Sequence, residues 1–277
     1  MPSLRVVADN AADRCTIATS STAGALVAAN LLSDDMSKLA RSVGTTLTIT
    51  GTTTVTEMAS CISLIKANLS PTATIRGRFY SDTAGLTLVL DTNVLQPGAL
   101  ACPAPARAPR GYTAAQSASA YFNGGGAQAR IWFAPVAFRK YVIDIVDTAN
   151  LQGYIEAARL VVSTYWQAEY GATAAPLRIS DSTQLFDNAA GGQMARAGYI
   201  RREVEIDLQY LTEADRNIFV GILMNSRSYP ILLSAFTGHS SASVERDYLV
   251  YGRRPDDSDV SMQYATTYAT KVKVVEI

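Results

Sequence analysis

The sequence predicts a mainly β protein, and three observations support this prediction. Charged residues make up only 17% of the 277 residues, while Ala, Thr, Ser and Gly are abundant, a composition that suits strands and short turns better than long solvated helices. Several segments alternate apolar and polar residues with a period of two. Only one segment changes clearly to a helical period. The 48% of hydrophobic residues can form one large core or two moderate ones.

The first half of the chain holds a series of strand-like segments. In LTITGTTTV, Leu47, Ile49 and Val55 lie on one face and threonines on the other. Two further strands are predicted on either side of a turn at NLSPT, and a short one in GLTLVLDT. Strand character resumes in ARIWFAPVAFRKYVIDIVD. The predicted strands thus fall at residues 47–55, 60–70, 72–82, 85–92 and 129–147.

Residues 96–128 form a long connection without a sustained period. They carry four of the ten prolines and the run Gly124, Gly125 and Gly126. The three glycines lack the G-x-G-x-x-G spacing of a phosphate-binding loop, so we interpret them as a flexible turn. Long connections of this kind are usually functional or disordered.

The second half begins with a turn-rich region, residues 166–198, which we interpret as a boundary between two units. The clearest alternation in the chain follows at residues 200–210 and predicts a strand with one buried and one solvated face. A helix is then predicted from Thr212, a suitable N-cap, with acids in its first turn and apolar residues at helical spacing. Three strands, in SYPILLSAF, DYLVYGRR and YATKVKVVEI, complete this unit.

Catalytic residue sets are sparse. The chain contains one histidine, His239 in TGHSSAS, which we interpret as an exposed loop residue, so Ser-His-Asp catalysis and paired-histidine metal sites are not indicated. A glycosidase needs only two acids at a suitable separation, and the candidate pairs are Asp144 with Glu156 and Glu203 with Glu205. The second pair lies on the solvated face of an alternating strand, where cross-strand ion pairs are expected. We therefore predict no enzyme and no cofactor.

Residues 141–162 carry an acid, an amide or a glycine at every third position, namely Asp144, Asp147, Asn150, Gly153 and Glu156. This spacing does not match an EF-hand calcium loop. In the preferred interpretation, Asp147, Asn150 and Gly153 form the turn of a hairpin, and Asp144 and Glu156 point outward from its strands. In the alternative, Asp147 and Asn150 contribute to a cation site in an irregular loop.

Charge and cysteine content exclude several classes of protein. Lys plus Arg equals Asp plus Glu at 24 each, so the balance does not indicate a nucleic-acid-binding protein. The three cysteines, Cys15, Cys61 and Cys102, are widely spaced and form no CxxC pair, so we expect reduced thiols. The N-terminus lacks the pattern of a cleavable signal peptide and no segment is apolar enough to span a membrane. We expect synthesis in a cytoplasm.

Three segments of the first half resemble the galactose-binding-like, or discoidin, β-sandwich: NLLSDDMSKLARSVGTT (30–46), CISLIKANLSPTATIRGRFYSD (61–82) and RKYVIDIVDTANLQGYIEAARLVV (139–162). Together with residues 181–223, they also resemble tail-tip or baseplate proteins of long-tailed bacteriophages, related in role to distal tail proteins. The resemblance implies a jelly-roll sandwich over residues 1–165. It also implies a β domain with one helix packed on its sheet over residues 166–277.

The function that this resemblance implies is that of a virion structural subunit, made in the host cytoplasm. Such a subunit would form a ring of six or three copies, through the second domain, and contact neighbouring tail proteins. The alternative is a carbohydrate-binding module that contacts host surface glycans, with Tyr112, Tyr121 and Phe122 as the candidate sugar contacts. Trp132, between apolar neighbours, is interpreted as a core residue. A glycan hydrolase using Asp144 and Glu156 is the third hypothesis.

Overall fold

A computed structural model of the chain describes residues 3–70, 72–93, 127–150, 152–187, 192–196, 198, 200–239, 242–264 and 267–277. These residues divide into two compact units. The sandwich unit contains the described residues of 9–165 and 241–246, and the sheet unit contains those of 1–8, 166–240 and 247–277. The sequence predicted a division into 1–165 and 166–277. Residues 3–8 instead belong to the sheet unit, and residues 242–246 belong to the sandwich unit.

The chain forms eighteen strands, two α-helices and two short 3-10 helices, Ala11–Arg14 and Ala28–Leu32, in its described part. In chain order the strands are β1 Ser3–Val7, β2 Thr16–Thr19, β3 Ala40–Arg41, β4 Thr46–Ala67, β5 Thr74–Tyr80, β6 Leu88–Asp91, β7 Ala127–Val146, β8 Glu156–Ala157, β9 Arg159–Ser163, β10 Trp166–Gln167, β11 Leu177–Asp181, β12 Gln184–Asp187, β13 Gln193–Arg196, β14 Ile200–Leu211, β15 Ile231–Thr237, β16 Leu249–Arg253, β17 Val260–Tyr264 and β18 Thr267–Glu276. The α-helices are α1 Glu213–Asn225 and α2 Ala242–Asp247. The prediction of a mainly β chain is confirmed.

The sandwich unit is organised around one long antiparallel pair, β4 and β7. Strands β2 and β5 flank the half of this pair that contains residues 46–52 and 140–146, and β9 flanks the other half along residues 61–65 of β4. The predicted strands 47–55 and 60–70 are one continuous strand, β4, interrupted only by register shifts. The strands predicted on either side of NLSPT do not pair with each other, since β7 lies between β4 and β5.

The two halves of the β4–β7 pair pack against a common core. Leu47 and Ile145 from one half and Leu64 and Ala129 from the other belong to the same buried cluster. Gly77 on β5 brings its backbone so close to Ile62 on β4 that a Cβ at position 77 would lie 2.4 Å from Ile62 Cδ1. Opposing strands therefore face each other across the core, as in a β-sandwich.

The sheet unit is one eight-stranded sheet with a helix against it. The strand order is β10-β1-β15-β16-β18-β14-β11, and β17 pairs with β18. The alternation at residues 200–210 buries Val204, Ile206 and Leu208 against the apolar side of α1, which contributes Phe219 and Leu223 to the same cluster. The strand, its two faces and the helix on the sheet agree with the sequence prediction.

Helix α1 begins where the sequence predicts. The Thr212 hydroxyl accepts a hydrogen bond from the Asp215 backbone N–H at 3.2 Å, which satisfies one of the donors exposed in the first turn. Glu213 and Asp215 add negative charge at the positive end of the helix dipole. Within the described residues, no helix is long and apolar enough to cross a membrane.

The region predicted as a turn-rich boundary, residues 166–198, instead contains four strands. Strand β11 pairs with β14, and the hairpin continues outward as β12 and β13. Asp181 pairs with Ile200, and the next pair is Gln184 with Arg196. These two pairs are three positions apart on the first strand and four on the second, so the second strand has one extra residue, a bulge. We call residues 184–187 and 193–196 the arm. Its eight strand residues are all exposed, which is why they show no alternation of apolar and polar residues.

Gly198 permits this bulge. A Cβ at position 198 would lie 2.3 Å from the Ser182 carbonyl carbon, so no other residue allows the backbones to approach as closely. On the opposite strand, Asp181 accepts a hydrogen bond from the Thr183 N–H at 2.8 Å. The hydrogen bonds from Thr183 lower the pKa of the Asp181 carboxyl.

The close approach of β4 to Tyr141 gives the first prediction. A Cβ at position 51 would lie 2.1 Å from Tyr141 Cζ, and the Tyr141 ring is fully buried beside Phe79 and Phe138. We expect Gly51→Ala to lower the free energy of unfolding by about 1–3 kcal/mol, because the ring has no space into which to move. Urea-induced unfolding of the full chain, followed by circular dichroism, measures this change.

Gly221→Ala is the matched control, since a Cβ there meets no atom within 4 Å. In the middle of a helix, this change should stabilise by about 0.5–1 kcal/mol. Equal effects of the two substitutions would contradict the close approach between Gly51 and Tyr141.

Candidate functional site

The candidate site lies on a short ribbon formed by β3 and β8. Ala40 pairs with Ala157 and Arg41 with Glu156. Side chains alternate across the ribbon, so Ala40, Ser42, Ile155 and Ala157 face the interior, where all four are buried. Arg41, Val43, Tyr154 and Glu156 therefore share the opposite face.

Arg41 is held on this face by two neighbours. Its Nε and Nη2 lie 2.8 and 2.6 Å from Glu156 Oε2, and its guanidinium carbon lies 4.2 Å from the centroid of the Tyr154 ring. The Glu156 carboxylate is almost fully buried, whereas the Arg41 side chain keeps 32% of its surface exposed. The expected outward position of Glu156 is therefore wrong, since Arg41 covers it and compensates its charge.

Asn68 fixes the segment that carries Tyr154. Its side-chain amide donates to Gln152 Oε1 at 2.7 Å and to the Tyr154 carbonyl at 2.8 Å, while its Oδ1 accepts from the Glu156 N–H at 2.8 Å. The buried Asn68 amide thus binds every second residue of this segment, Gln152, Tyr154 and Glu156. We call the exposed group formed by Arg41, Val43, Gln152 and Tyr154 the Arg41–Tyr154 surface.

Asp147 anchors the start of the same segment. This buried carboxylate accepts hydrogen bonds from the Ser70 N–H at 2.7 Å and from the Ser70 hydroxyl at 2.5 Å. Asn150 donates from its side chain to the Asn68 carbonyl at 2.9 Å and accepts from the Gln152 N–H at 2.9 Å. These contacts tie residues 147–152 to the loop that follows β4.

The predicted turn is present, but it does not close a hairpin. The Asn150 N–H donates to the Asp147 carbonyl and the Gly153 N–H to the Asn150 carbonyl, both at 3.1 Å, with Gly153 at a φ of +74°. However, β7 pairs with β4 and β5, while β8 pairs with β3, so the flanking strands are not partners. Both Asp147 oxygens serve as acceptors within the protein. A cation at Asp147 and Asn150 stays a prediction.

The acids considered for catalysis form ion pairs with different basic residues. Asp144 lies on β7 with Arg78 Nη2 at 2.5 Å and the Thr48 hydroxyl at 2.9 Å, whereas Glu156 pairs with Arg41. Glu203 lies 2.9 Å from Lys273 Nζ on the adjacent strand, and this contact lowers the pKa of the Glu203 carboxyl. Cross-strand charge compensation explains these carboxylates.

Other residues named from the sequence have different positions. Tyr112, Tyr121, Phe122 and Cys102 lie outside the described residues, as does nearly all of the connection 96–128. Trp132 is half-buried, with its ring edge-on to Tyr165 at 5.4 Å and its indole N–H 3.4 Å from Glu245 Oε1. His239 follows β15 in a turn, with its ring 6.5 Å from that of Phe236.

The two described cysteines, Cys15 and Cys61, are buried thiols. Burial raises the pKa of the Cys15 thiol to about 11, so this side chain is uncharged and unreactive at neutral pH.

Sequence reasoning missed the residues that form the Arg41–Tyr154 surface. Strand β3 contains two residues, too few to show a period. The sequence held one signal for the Arg41–Glu156 ion pair, since these opposite charges each stand beside small residues that become buried. This signal could not be recognised, because 115 positions separate Arg41 from Glu156. Only the sheet pairing brings them together.

No protein-family model matches, and no curated protein matches. Among solved structures, the chitosan-binding module 1 of a chitosanase/glucanase from Paenibacillus sp. IK-5 is 13% identical, with a TM-score of 0.39, over 56% of this chain and 99% of the module. A family 32 carbohydrate-binding module of Clostridium perfringens NanJ, in complex with galactose, is 12% identical, with a TM-score of 0.37, over 59% and 99%.

A third similar structure is a GH29 fucosidase from Ruminococcus gnavus in complex with fucose. It is 9% identical, with a TM-score of 0.38, and the match covers 57% of this chain but only 27% of the fucosidase. At these values the likeness identifies neither a family nor a ligand for this chain.

The buried Asp147 carboxylate gives the second prediction. We expect Asp147→Ala to lower the free energy of unfolding by about 2–4 kcal/mol, because the N–H and hydroxyl of Ser70 lose a charged acceptor in a buried position. Asp147→Asn keeps one oxygen and should lose less. Urea-induced unfolding gives the stability, and hydrogen exchange at residues 68–72 locates the change.

Asp187→Ala, which removes an exposed carboxylate from the arm, is the control and should change stability by less than about 0.5 kcal/mol. An Asp147→Ala protein as stable as this control would show that the Ser70 contacts contribute nothing.

Proposed function

We propose that the sandwich unit binds a carbohydrate at the Arg41–Tyr154 surface and catalyses no reaction there. The observation that carries this proposal is an exposed guanidinium held in one place by a buried carboxylate and an aromatic ring. A binding group that is already fixed loses little conformational entropy when a ligand arrives. Weak, polar ligands such as sugars gain most from such preorganisation.

The chemistry of the surface fits a sugar. A guanidinium presents five N–H donors in one plane, and only Nε and Nη2 of Arg41 contact Glu156. Its remaining donors can bridge two adjacent hydroxyl groups. Val43, 69% exposed, and the edge of Tyr154 offer apolar contact to the C–H groups of a sugar ring. The exposed Gln152 side chain adds a donor and an acceptor.

The absence of catalysis is part of the proposal. The two carboxylates of the segment that carries this surface, Glu156 and Asp147, are buried and bound to Arg41 and Ser70. A glycosidase requires one carboxyl group that donates a proton and a second that acts as base or nucleophile, both facing the substrate. The ion-paired arrangement suits binding.

The third prediction tests this proposal. The full chain is screened on a glycan array, and the strongest ligand is titrated by calorimetry against wild type and Arg41→Lys. Lysine keeps the charge near Glu156 but lacks the planar fork, so we expect a loss of affinity of about tenfold or more. Tyr154→Ala should weaken binding in the same direction.

Arg14→Lys is the matched control, since Arg14 is an exposed arginine of the same unit that is ion-paired with Asp9 and Glu57. It should leave the affinity unchanged. An array without any binder, or equal affinities for Arg41→Lys and Arg14→Lys, would refute carbohydrate binding at this surface.

A second function is favoured by the arm of the sheet unit. Leu185, Phe186 and Met194 expose 60%, 51% and 62% of their surfaces. Leu185 pairs with Ala195 and Phe186 with Met194, so apolar side chains project from both faces of a two-stranded ribbon. An isolated ribbon of this kind is only marginally stable in water, and exposed apolar groups in one place typically mark an interface.

We infer that the arm packs against a second copy of the chain, making the protein a subunit of a homo-oligomer. A contact between two different surfaces of identical copies closes into a ring if the rotation allows.

This assembly role agrees with the resemblance to tail-tip or baseplate proteins of long-tailed bacteriophages. A ring of six or three copies in a virion, in contact with neighbouring tail proteins, is the form that the proposal takes. A carbohydrate-binding sandwich on such a ring would contact host glycans, so the two proposed functions are compatible.

The fourth prediction concerns the arm. Light scattering coupled to size exclusion should give a mass of several chains for the wild type, and electron microscopy should show closed rings. The triple change Leu185→Ser, Phe186→Ser, Met194→Ser should yield monomers, because the apolar contact is lost.

The double change Gln184→Ser, Gln193→Ser, on the same ribbon, should leave the mass unchanged. A monomeric wild type at tens of micromolar, or an oligomer unaffected by the triple change, would refute assembly through the arm.

A further inference from the structure

A surface hollow lies in the sheet unit, on the face of the sheet opposite to α1. Strands β14, β18 and β17 lie side by side there, with Asp207 opposite Lys271 and Ala269 opposite Ser261. Directly opposed residues point to the same face of a sheet. Residues 269 and 271, two positions apart on β18, also point to one face, so all four side chains lie on the same face. Ala269, only 7% exposed, is the smallest side chain of the group and forms the floor.

The hollow is a cleft of about 520 Å³. Gln209, Asp207 and Lys271 form one side, and the segment from Asp257 to Ser261 forms the other. This volume falls within the range of small-ligand sites, about 300–1,000 Å³. Amide, hydroxyl, carboxylate and ammonium groups therefore converge over a small apolar floor.

Two exposed tyrosines lie outside the lining of the cleft but close to its lining residue Gln209. Tyr210 directly follows the lining residue Gln209, and its ring centroid lies 6.4 Å from that of Tyr170 at an angle of 62°. The two side chains are 51% and 55% exposed. Tyr170 is held in place because residues 173 and 174 pair with β14, through hydrogen bonds of 2.8 and 2.9 Å between Thr173, Ala174 and Asp207.

We propose that this cleft binds an oligosaccharide that carries amino groups. Tyrosine faces attract both the C–H surface of a sugar ring and an ammonium group. The hydroxyl of Ser261 and the amide of Gln209 provide donors and acceptors for sugar hydroxyls.

Charge selects the amino sugar over an acidic one. Three carboxylates line the cleft, Asp207, Asp257 and Asp259, against the single ammonium of Lys271. Lys271 Nζ lies 3.5 Å from Asp207 Oδ2, and outside the cleft Arg227 lies 3.0 Å from Asp257. The balance inside the cleft is negative, which favours ligand ammonium groups and repels uronic acids.

This site is independent of the Arg41–Tyr154 surface, which belongs to the other unit. The experiment titrates the full chain by calorimetry at pH 6 with three probes: a glucosamine hexamer, an N-acetylglucosamine hexamer and an oligogalacturonate. We expect the glucosamine hexamer to bind tightest and the oligogalacturonate not at all. Amide chemical-shift changes should fall at residues 207–210, 257–261 and 269–271.

Two variants locate the binding. Tyr210→Ala should weaken the glucosamine hexamer about tenfold, and Ala269→Phe, which fills the floor, should abolish its binding. Tyr229→Ala, another exposed tyrosine of the same unit, is the matched control and should bind as wild type. The positions of the chemical-shift changes, at residues 207–210, 257–261 and 269–271 for this cleft, distinguish its binding from binding at the sandwich-unit site.

Three results would overturn the proposal: no binding of the glucosamine hexamer by the wild type, equal affinities for Tyr210→Ala and Tyr229→Ala, or hexalysine binding as tightly as the glucosamine hexamer. The last would show a non-specific attraction of positive charge. Circular dichroism and thermal unfolding confirm that Ala269→Phe is folded, and if it is not, Tyr210→Ala alone decides the outcome.

Discussion

The sandwich unit depends on the pairing of β4 with β7. These two strands are 22 and 20 residues long, and β2, β5 and β9 each attach to one of them. The pairing joins Thr46 to Val146, so the sandwich cannot form until segments a hundred positions apart have met. Contacts of such long range make folding slow. The Asp147 turn at the end of this pair and the Asn68 side chain together position strand β8 of the β3–β8 ribbon.

Charge is scarce in this protein, and the structure uses much of it internally. Arg159 is almost fully buried between Asp13 and Asp34, and Arg130 is buried against Glu245 of α2 at 2.7 Å. Burial raises the pKa of the Asp13 carboxyl, although Arg159 opposes this shift. Breaking such a pair leaves an uncompensated buried charge, which is costly. Acids that a sequence pattern offers for catalysis are here committed to holding strands together.

The strength of the local signal decided which elements could be predicted from the sequence. Strand β14 and helix α1 have one buried and one exposed face, so their periods appear in the sequence. Strands β12 and β13 are exposed on both faces, and β3 and β8 contain two residues each, so no period exists to be found. The same reason hid the candidate site, since Arg41 and Tyr154 meet only through the β3–β8 pairing. The turn at Asp147 was predictable because Asx residues and glycine act locally, but its role as a link between separate sheets depends on tertiary structure.

The position of β1 shows how the two units follow each other along the chain. Strand β1 pairs with β10, matching Val6 to Trp166, and with β15, so the sheet unit begins at residue 3 and resumes at residue 166. Apart from its residues 242–246, the sandwich unit is therefore inserted between two strands of the sheet unit, and its entry and exit points are neighbours on adjacent strands. Insertions with adjacent ends can be gained, lost or exchanged without disturbing the host fold. If the arm and the inserted module act as proposed, a host sheet that keeps its arm while the module changes would retain its assembly and acquire different ligands.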